Sequence, residues 1–242
     1  MGVVMVTGAS RGIGRGIAER FARDGHSVAL CATGTDGTLR EVERELLAQG
    51  RAVAAFAGDL SDYAKASEVM DAVINCFGLP DVLVNNAGVA WTGLFADMRP
   101  DEWKRVTDVN IGAMLNLSHH AARFMVRRHS GVIINISSIW GVAGASCEAV
   151  YSMTKGAVNA FTRALGKELG PSGVRVNAIA CGIIDTAMNA KLSPAELEMF
   201  LADVPLSRMG TAAEIADVAA FLASGAASYV NAQVIAADGG LL

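Results

Sequence analysis

VTGASRGIG, residues 6–14, places three glycines, a serine and an arginine in one short stretch. The run before it, 2–6, is short, apolar and β-branched. After it, Ile13, Ile17, Ala18 and Phe21 recur at helical spacing. The glycines therefore fall between a buried strand and a helix. The first turn of a helix has unpaired N–H groups and a partial positive charge, so this is where the phosphates of a dinucleotide bind, and glycines let the backbone come close. The spacing of Gly8, Gly12 and Gly14 is TGxxxGxG and not GxGxxG. A glycine-rich turn with no ligand is the other reading of these residues alone.

The chain has 242 residues, 52% of them hydrophobic, which suffices for one large core and leads us to expect a single domain over 1–242. A formal charge of −4 with scattered basic residues gives no general attraction to nucleic acid or an anionic membrane. No apolar stretch has the length of a membrane span, and a core strand within the first few residues leaves no room for a signal peptide, so the expected location is cytoplasmic. Cys31, Cys76, Cys147 and Cys181 are far apart and form no CxxC pair. Neither a metal site nor a disulfide framework is indicated, and most of the four are expected to be reduced core thiols.

Seven short apolar runs, 3–7, 27–33, 52–58, 81–88, 131–138, 174–180 and 232–240, read as strands. Amphipathic stretches such as 37–50 and 62–78 lie between them, so the alternation is that of a doubly wound α/β fold with a parallel sheet and helices on both faces. Ligands in such a sheet bind beyond the carboxyl ends of the strands. Those ends read Thr7-Gly8, Thr33, Asp59-Leu60, Asn85-Asn86-Ala87-Gly88, Ser137-Ser138 and Cys181-Gly182.

YSMTKGAVNAFTRALGKEL, 151–169, reads as a helix beginning near Tyr151, with Tyr151 and Lys155 at i and i+4 on one face. A phenol of ordinary pKa, about 10, is a poor proton donor at neutral pH, and a nearby ammonium favours the phenolate. The pair alone also fits a surface contact on an ordinary helix. Ser138, at a strand end, carries a hydroxyl able to reach a substrate carbonyl, although serine is a common turn residue too.

TGASRGIG, NNAG, Ser138 followed by Y-x-x-x-K, and Asn110 in DVNIGAM together resemble the short-chain dehydrogenase/reductase family, from Val3 to the carboxyl terminus. The resemblance implies a Rossmann-like fold and a nicotinamide-dependent oxidoreductase. It implies roles for Tyr151 as general acid and for Lys155 in lowering the Tyr151 pKa and holding the nicotinamide ribose. Ser138 would polarise the carbonyl, and Asn110, at a helix bend, would hold a water in a proton relay. Gly8, Ser10, Arg11, Gly12, Ile13 and Gly14 would cradle the cofactor phosphates. Asp59 and Leu60 would bracket the adenine, Asn85, Ala87 and Gly88 would line the cleft, and Ile184 and Thr186 would hold the carboxamide. Family members are usually homotetramers built through the helices near 103–129 and 151–170 and the last strand. A non-catalytic NADPH-binding sensor on the same fold would have no need of all four of Asn110, Ser138, Tyr151 and Lys155.

The second strand ends in Ala32 and Thr33, neither acidic, and Arg11 can reach a ribose 2′-phosphate, which favours NADPH over NADH unless Asp36 folds back onto the ribose. By overall pattern the nearest group is the 3-oxoacyl carrier-protein reductases. Arg123, Arg127, Arg128 and His129 are candidates for docking an acidic carrier protein, or else a solvated helix face. Ser172 and Cys181 stand where that group has arginine and proline. SIWGVAGASCEAVY, 138–151, also resembles the bacterial reductases of a 5-aminopentanone modification on a lysine of elongation factor P. Trp140 and Glu148 would suit a cationic amine in the substrate pocket, or else be a core residue and a solvated helix start. A mobile substrate lid is expected at about 187–210, with Ser193-Pro194 and Glu196 starting a helix.

Overall fold

The computed structural model describes residues 2–34, 37–190 and 193–242. Seven strands, β1 (Val3–Thr7), β2 (Ser27–Ala32), β3 (Val53–Ala57), β4 (Val82–Asn85), β5 (Gly131–Ser138), β6 (Val174–Cys181) and β7 (Val234–Ala237), form one sheet. Every pairing is parallel, in the order β3-β2-β1-β4-β5-β6-β7. The fold is the Rossmann-like doubly wound sheet that the alternation predicts. Several strands are shorter than the apolar runs: Asn86, Ala87 and Gly88 leave β4, and Asp238 to Gly240 leave β7. At those ends the backbone turns and side chains take over its hydrogen bonds, as when the Asp238 carboxylate accepts from Gly240 and Leu242 N–H at 3.0 and 2.9 Å.

The two-residue alternation of each strand divides the core into two layers. Val4, Val6, Val28, Leu30, Val84 and Ile134 face α1 (Gly12–Arg23), α2 (Thr38–Ala48) and α9 (Ala212–Ala223). Met5, Ala29, Leu83 and Ile133 face α3 (Tyr63–Phe77) and α5 (Ala113–Arg127), with Leu169 of α7 (Ala149–Leu169) joining them. Between these elements lie α4 (Pro100–Thr107), α6 (Trp140–Ala143) and α8 (Pro194–Ala202). Only two of the four cysteines, Cys31 and Cys181, are buried. Cys76 on α3 and Cys147 in the loop before α7 are exposed, since neither falls on an inward-facing position, so the expectation of mostly core thiols is corrected.

Beyond β1 and β4 the sheet's connections run in opposite directions, which opens a crevice at their carboxyl ends. The two turns there are fastened together. Thr7 Oγ1 accepts from the N–H groups of Asn86 and Ala87, both at 2.9 Å, and donates to the Val84 carbonyl at 3.3 Å. Asn86 Nδ2 donates to the carbonyls of Thr7 and Gly8 at 2.9 and 3.3 Å. Gly14 is required by contact: a Cβ there would sit well inside van der Waals distance of the Gly8 carbonyl and the Asn86 amide. Gly8 and Gly12 have φ of +64° and +55°, the left-handed region that disfavours a side chain. Gly14→Ala is expected to cost about 1–3 kcal/mol through overpacking of this turn. Calorimetry should show a lowered Tm, and a parental Tm would mean that the turn has slack.

Candidate active site

The glycine turn delivers the chain into α1 with Arg11 at the N-cap, extended and exposed, and with no acidic residue in the first turn. Its N–H groups therefore face a site of positive potential. Ser10 is half-buried, and Ile13 packs its side chain against the core, leaving its backbone at the turn. A Cβ on Gly12 would meet the Thr186 methyl at 3.3 Å, so the segment after β6 lies across the turn. That segment is pinned by Ile184: its carbonyl accepts from Asn189 Nδ2 at 2.8 Å and Thr186 Oγ1 at 3.5 Å, and it bridges Gly210. The paired glycines, the helix start free of acidic residues and the Thr186 strap fit a dinucleotide.

Ser138 ends β5, and Tyr151 and Lys155 occupy the first turns of α7, which packs against that strand. Lys155 is 5% exposed; its Nζ donates to the Ile136 carbonyl at 2.9 Å and lies 5.7 Å from the Tyr151 ring centroid. Burial brings the Lys155 ammonium down to about 8. The Tyr151 phenol moves the other way. Burial pushes it above its ordinary value, the hydrogen bond with Ser138 pulls it down, and the charges of Glu148 and Cys181 add to the rise. The fall expected from Lys155 is not among these influences; desolvation dominates, and Tyr151 holds its proton at neutral pH.

Asn110 occupies a single π turn, Asp108–Gly112, between α4 and α5, which is the helix bend the resemblance implies. Its side chain is fully engaged: Oδ1 accepts from Val89 N–H at 2.8 Å, while Nδ2 donates to the Val89 carbonyl at 2.9 Å and to Thr154 Oγ1 at 3.0 Å. A Cβ on Gly88 would lie 3.3 Å from Asn110 Oδ1 and 3.6 Å from Lys155 Nζ. Gly88 thus borders both groups, and a side chain there would crowd Asn110 Oδ1. Asn110, Ser138, Tyr151 and Lys155 are therefore brought together, as expected.

Two other expected residues turn inward. Asn85 donates through Nδ2 to Ser118 Oγ at 3.0 Å and Asn135 Oδ1 at 2.9 Å, in a buried network that Asn135 extends to Thr162. Its side chain belongs to the core and does not line the cleft. Leu60 is likewise buried, in the layer beneath α3 and α5, and its carbonyl accepts from Asn116 Nδ2 at 3.0 Å. Asp59 is exposed, its carboxylate accepting from Ser61 N–H and Oγ at 3.0 and 2.7 Å, and Thr33 is exposed just past β2. Ala87 and Gly88 stand half-buried at the cleft. Asp36 lies outside the described residues.

Trp140 opens α6, and its N–H donates to Ser138 Oγ at 3.2 Å. Glu148 is the N-cap residue of α7, half-buried, with Thr92 Oγ1 donating to it at 3.2 Å. Burial raises the Glu148 carboxyl above the usual carboxylate range, and the Thr92 bond works against the rise. A solvated helix start does not describe it. The basic run near the end of α5 sits elsewhere. This helix starts beside Asn110 and ends just before the amino end of β5, so Arg127, Arg128 and His129 lie at the opposite end of the sheet from Tyr151. Arg128 is also occupied, donating to the carbonyls of Ser130 and Pro80 at 2.8 and 2.7 Å and pairing with Asp81. The expected docking patch therefore does not border the mouth of its own subunit's site.

Sequence reasoning placed Thr7 and Asn86 at strand ends without giving either a role, and it missed Thr92 and Thr154. Only the doubled asparagine and the hydroxyl directly before Lys155 were signals that might be read in advance. The Ile136 carbonyl that holds Lys155 carries no side-chain signal at all.

The family model described as enoyl-(acyl carrier protein) reductase matches residues 8–242. A 3-oxoacyl-(acyl-carrier-protein) reductase of Staphylococcus aureus is 38% identical over 237 residues, covering 98% of this chain and 96% of its own. A 3-oxoacyl-(acyl-carrier protein) reductase of Brucella melitensis superposes with a TM-score of 0.94 at 35% identity, over 99% of this chain and 90% of that one. An actinorhodin polyketide ketoreductase solved with NADPH also reaches 0.94, at 33% identity over 99% and 97% of the two chains. This chain belongs to the short-chain dehydrogenase/reductase family, as an NAD(P)-dependent oxidoreductase acting between C=O and CH–OH in the branch of the 3-oxoacyl carrier-protein reductases.

Proposed function

We propose that the protein is an NADPH-dependent reductase of a 3-oxoacyl thioester or related ketone, with Tyr151 as the general acid. The observation that carries this is the half-buried phenol of Tyr151 beside Ser138, with the buried Lys155 Nζ 5.7 Å from its ring centroid. When bound, the reduced nicotinamide supplies the hydride. The Ser138 hydroxyl orients the substrate carbonyl, and Tyr151 gives its proton to the oxygen as negative charge develops there. Lys155 stabilises the phenolate left behind and would hold the nicotinamide ribose when the cofactor binds. Thr33, in place of a carboxylate after β2, together with Arg11, which has no carboxylate partner among the described residues, supports NADPH. Among the described residues no helix is long and apolar enough to cross a membrane. We place the enzyme in the cytoplasm, where NADPH favours reduction.

The segment 187–210 would act as the substrate lid, although Lys191 and Leu192 lie outside the described residues. Its helix α8 starts at a Ser193–Glu196 capping box and presents Met199, 74% exposed, and Phe200. Exposed Trp103, Leu115 and Met153 on α4, α5 and α7, and Phe221 and Tyr229 ahead of β7, supply apolar surface for a homotetramer.

A second reading, reduction of a 5-aminopentanone group on a lysine of elongation factor P, is favoured by Glu148. A half-buried carboxylate, close enough for its charge to act on Tyr151, suits a substrate ammonium better than an acyl chain. Purified enzyme should be given NADPH with an acetoacetyl thioester and, separately, a simple aminoketone. Turnover of the thioester supports the first reading. Preference for the aminoketone, lost in Glu148→Gln, establishes the second.

Tyr151→Phe is expected to lower kcat by about 10²–10⁴-fold while leaving NADPH binding intact. A near-parental rate would remove Tyr151 from its role. With Lys155 at about 8 and Tyr151 protonated well beyond that, the rate of reduction at saturating NADPH should be flat near neutral pH. It should fall as pH rises through about 8, when the ammonium is lost. A rate that climbs across this range would contradict the assignment.

A further inference from the structure

Thr154 stands between Tyr151 and Lys155 in the sequence and is fully buried. Its Oγ1 donates to the Tyr151 carbonyl at 2.8 Å, so its only proton is committed to the helix. Toward Asn110 it can therefore act only as an acceptor, and it receives Nδ2 at 3.0 Å. Thr154 and the Val89 backbone thus agree on which way the Asn110 amide faces. Turned over, Oδ1 would meet the lone pairs of Thr154 and of the Val89 carbonyl, and Nδ2 would meet the Val89 N–H. In the orientation that Thr154 and Val89 both favour, Oδ1 accepts from Val89 N–H and lies beside the Gly88 niche shared with Lys155.

We propose that Thr154 is a positioning residue for the reaction, whose hydroxyl ties the Tyr151 turn of α7 through the Asn110 amide to the strand-end segment at Val89. The link runs from the Tyr151 carbonyl to Thr154 Oγ1, to Asn110 Nδ2 and on to the Val89 backbone, and its bonds span 2.8–3.0 Å. It sets the separation between the proton donor on α7 and the β4 end that borders the cofactor cleft. A shift of an ångström in such a separation is enough to cost a large factor in rate. The inference rests on the reading of Tyr151 as the acid.

The test is Thr154→Val, which keeps the shape and removes the hydroxyl, beside Thr154→Ser, which restores it, with kcat, KM and the pH profile of reduction measured for each. The expected result for Thr154→Val is a fall in kcat of about tenfold or more, with KM for NADPH within about twofold and the alkaline limb of the profile displaced. Thr154→Ser should recover both kcat and profile. Parental kcat and profile in Thr154→Val, even with a lowered Tm, would overturn the proposal, as would a loss that serine does not repair. If Thr154→Val does not fold, Thr154→Ala is judged by the same criteria. Tyr151→Phe in the same series separates the two readings. If it is inactive while Thr154→Val is fully active, only the role of Thr154 fails; if it is active, the acid assignment fails and takes this one with it.

Discussion

The close approach of the turns after β1 and β4 is the constraint on which the site depends. These are the strands between which the sheet's connections diverge, and the crevice has its shape because Thr7 and Asn86 satisfy each other's backbone groups across it. A buried N–H or carbonyl without a partner costs free energy comparable to a lost hydrogen bond, so the two turns cannot separate without leaving several such groups exposed or orphaned. Gly8 and Gly14 let the backbones come within contact, and the helix start of α1 then faces the crevice with no side-chain cap from the described residues.

The electrostatics of the site follow from a second constraint, the burial of Lys155. An ammonium removed from water needs a partner, and it finds the Ile136 carbonyl rather than a carboxylate. A carboxylate would cancel the positive potential, whereas a neutral carbonyl holds the charge in place and leaves it to act on the cleft. The same dry surroundings keep the Tyr151 phenol protonated. One desolvated pocket thus acts in opposite directions on its two groups, raising the phenol and lowering the ammonium, as the proposed roles of Tyr151 and Lys155 require.

Glu148 is an acidic group held partly out of water close to Tyr151. Its carboxylate sits at the head of the helix that bears Tyr151, is held by a threonine from the loop after β4, and is kept there by the Gly93 N–H bond to the Cys147 carbonyl at 2.8 Å. Holding an acidic group half out of water costs free energy, which the Thr92 hydrogen bond offsets only in part, and this cost is what raises the carboxyl above its usual range.

Much of this protein is legible in its sequence, because the relevant signals are local. The two-residue and 3.6-residue periods mark strands and helices, TGxxxGxG marks the strand-to-helix turn, and Y-x-x-x-K puts two side chains on one helical face. Tertiary structure alone decided what each side chain does at its place. Asn85 and Leu60 stand at strand ends, as read, yet turn into the core because the layer beneath them offers hydrogen-bonding and apolar partners. Arg128 is basic and near a helix end, yet carbonyls at the far side of the sheet take it up. The pKa of Tyr151 is likewise set by how much water is excluded around it and not by its spacing from Lys155. Local sequence determines period, turn and face, whereas direction, burial and partner depend on segments far apart in the chain, which meet only after folding.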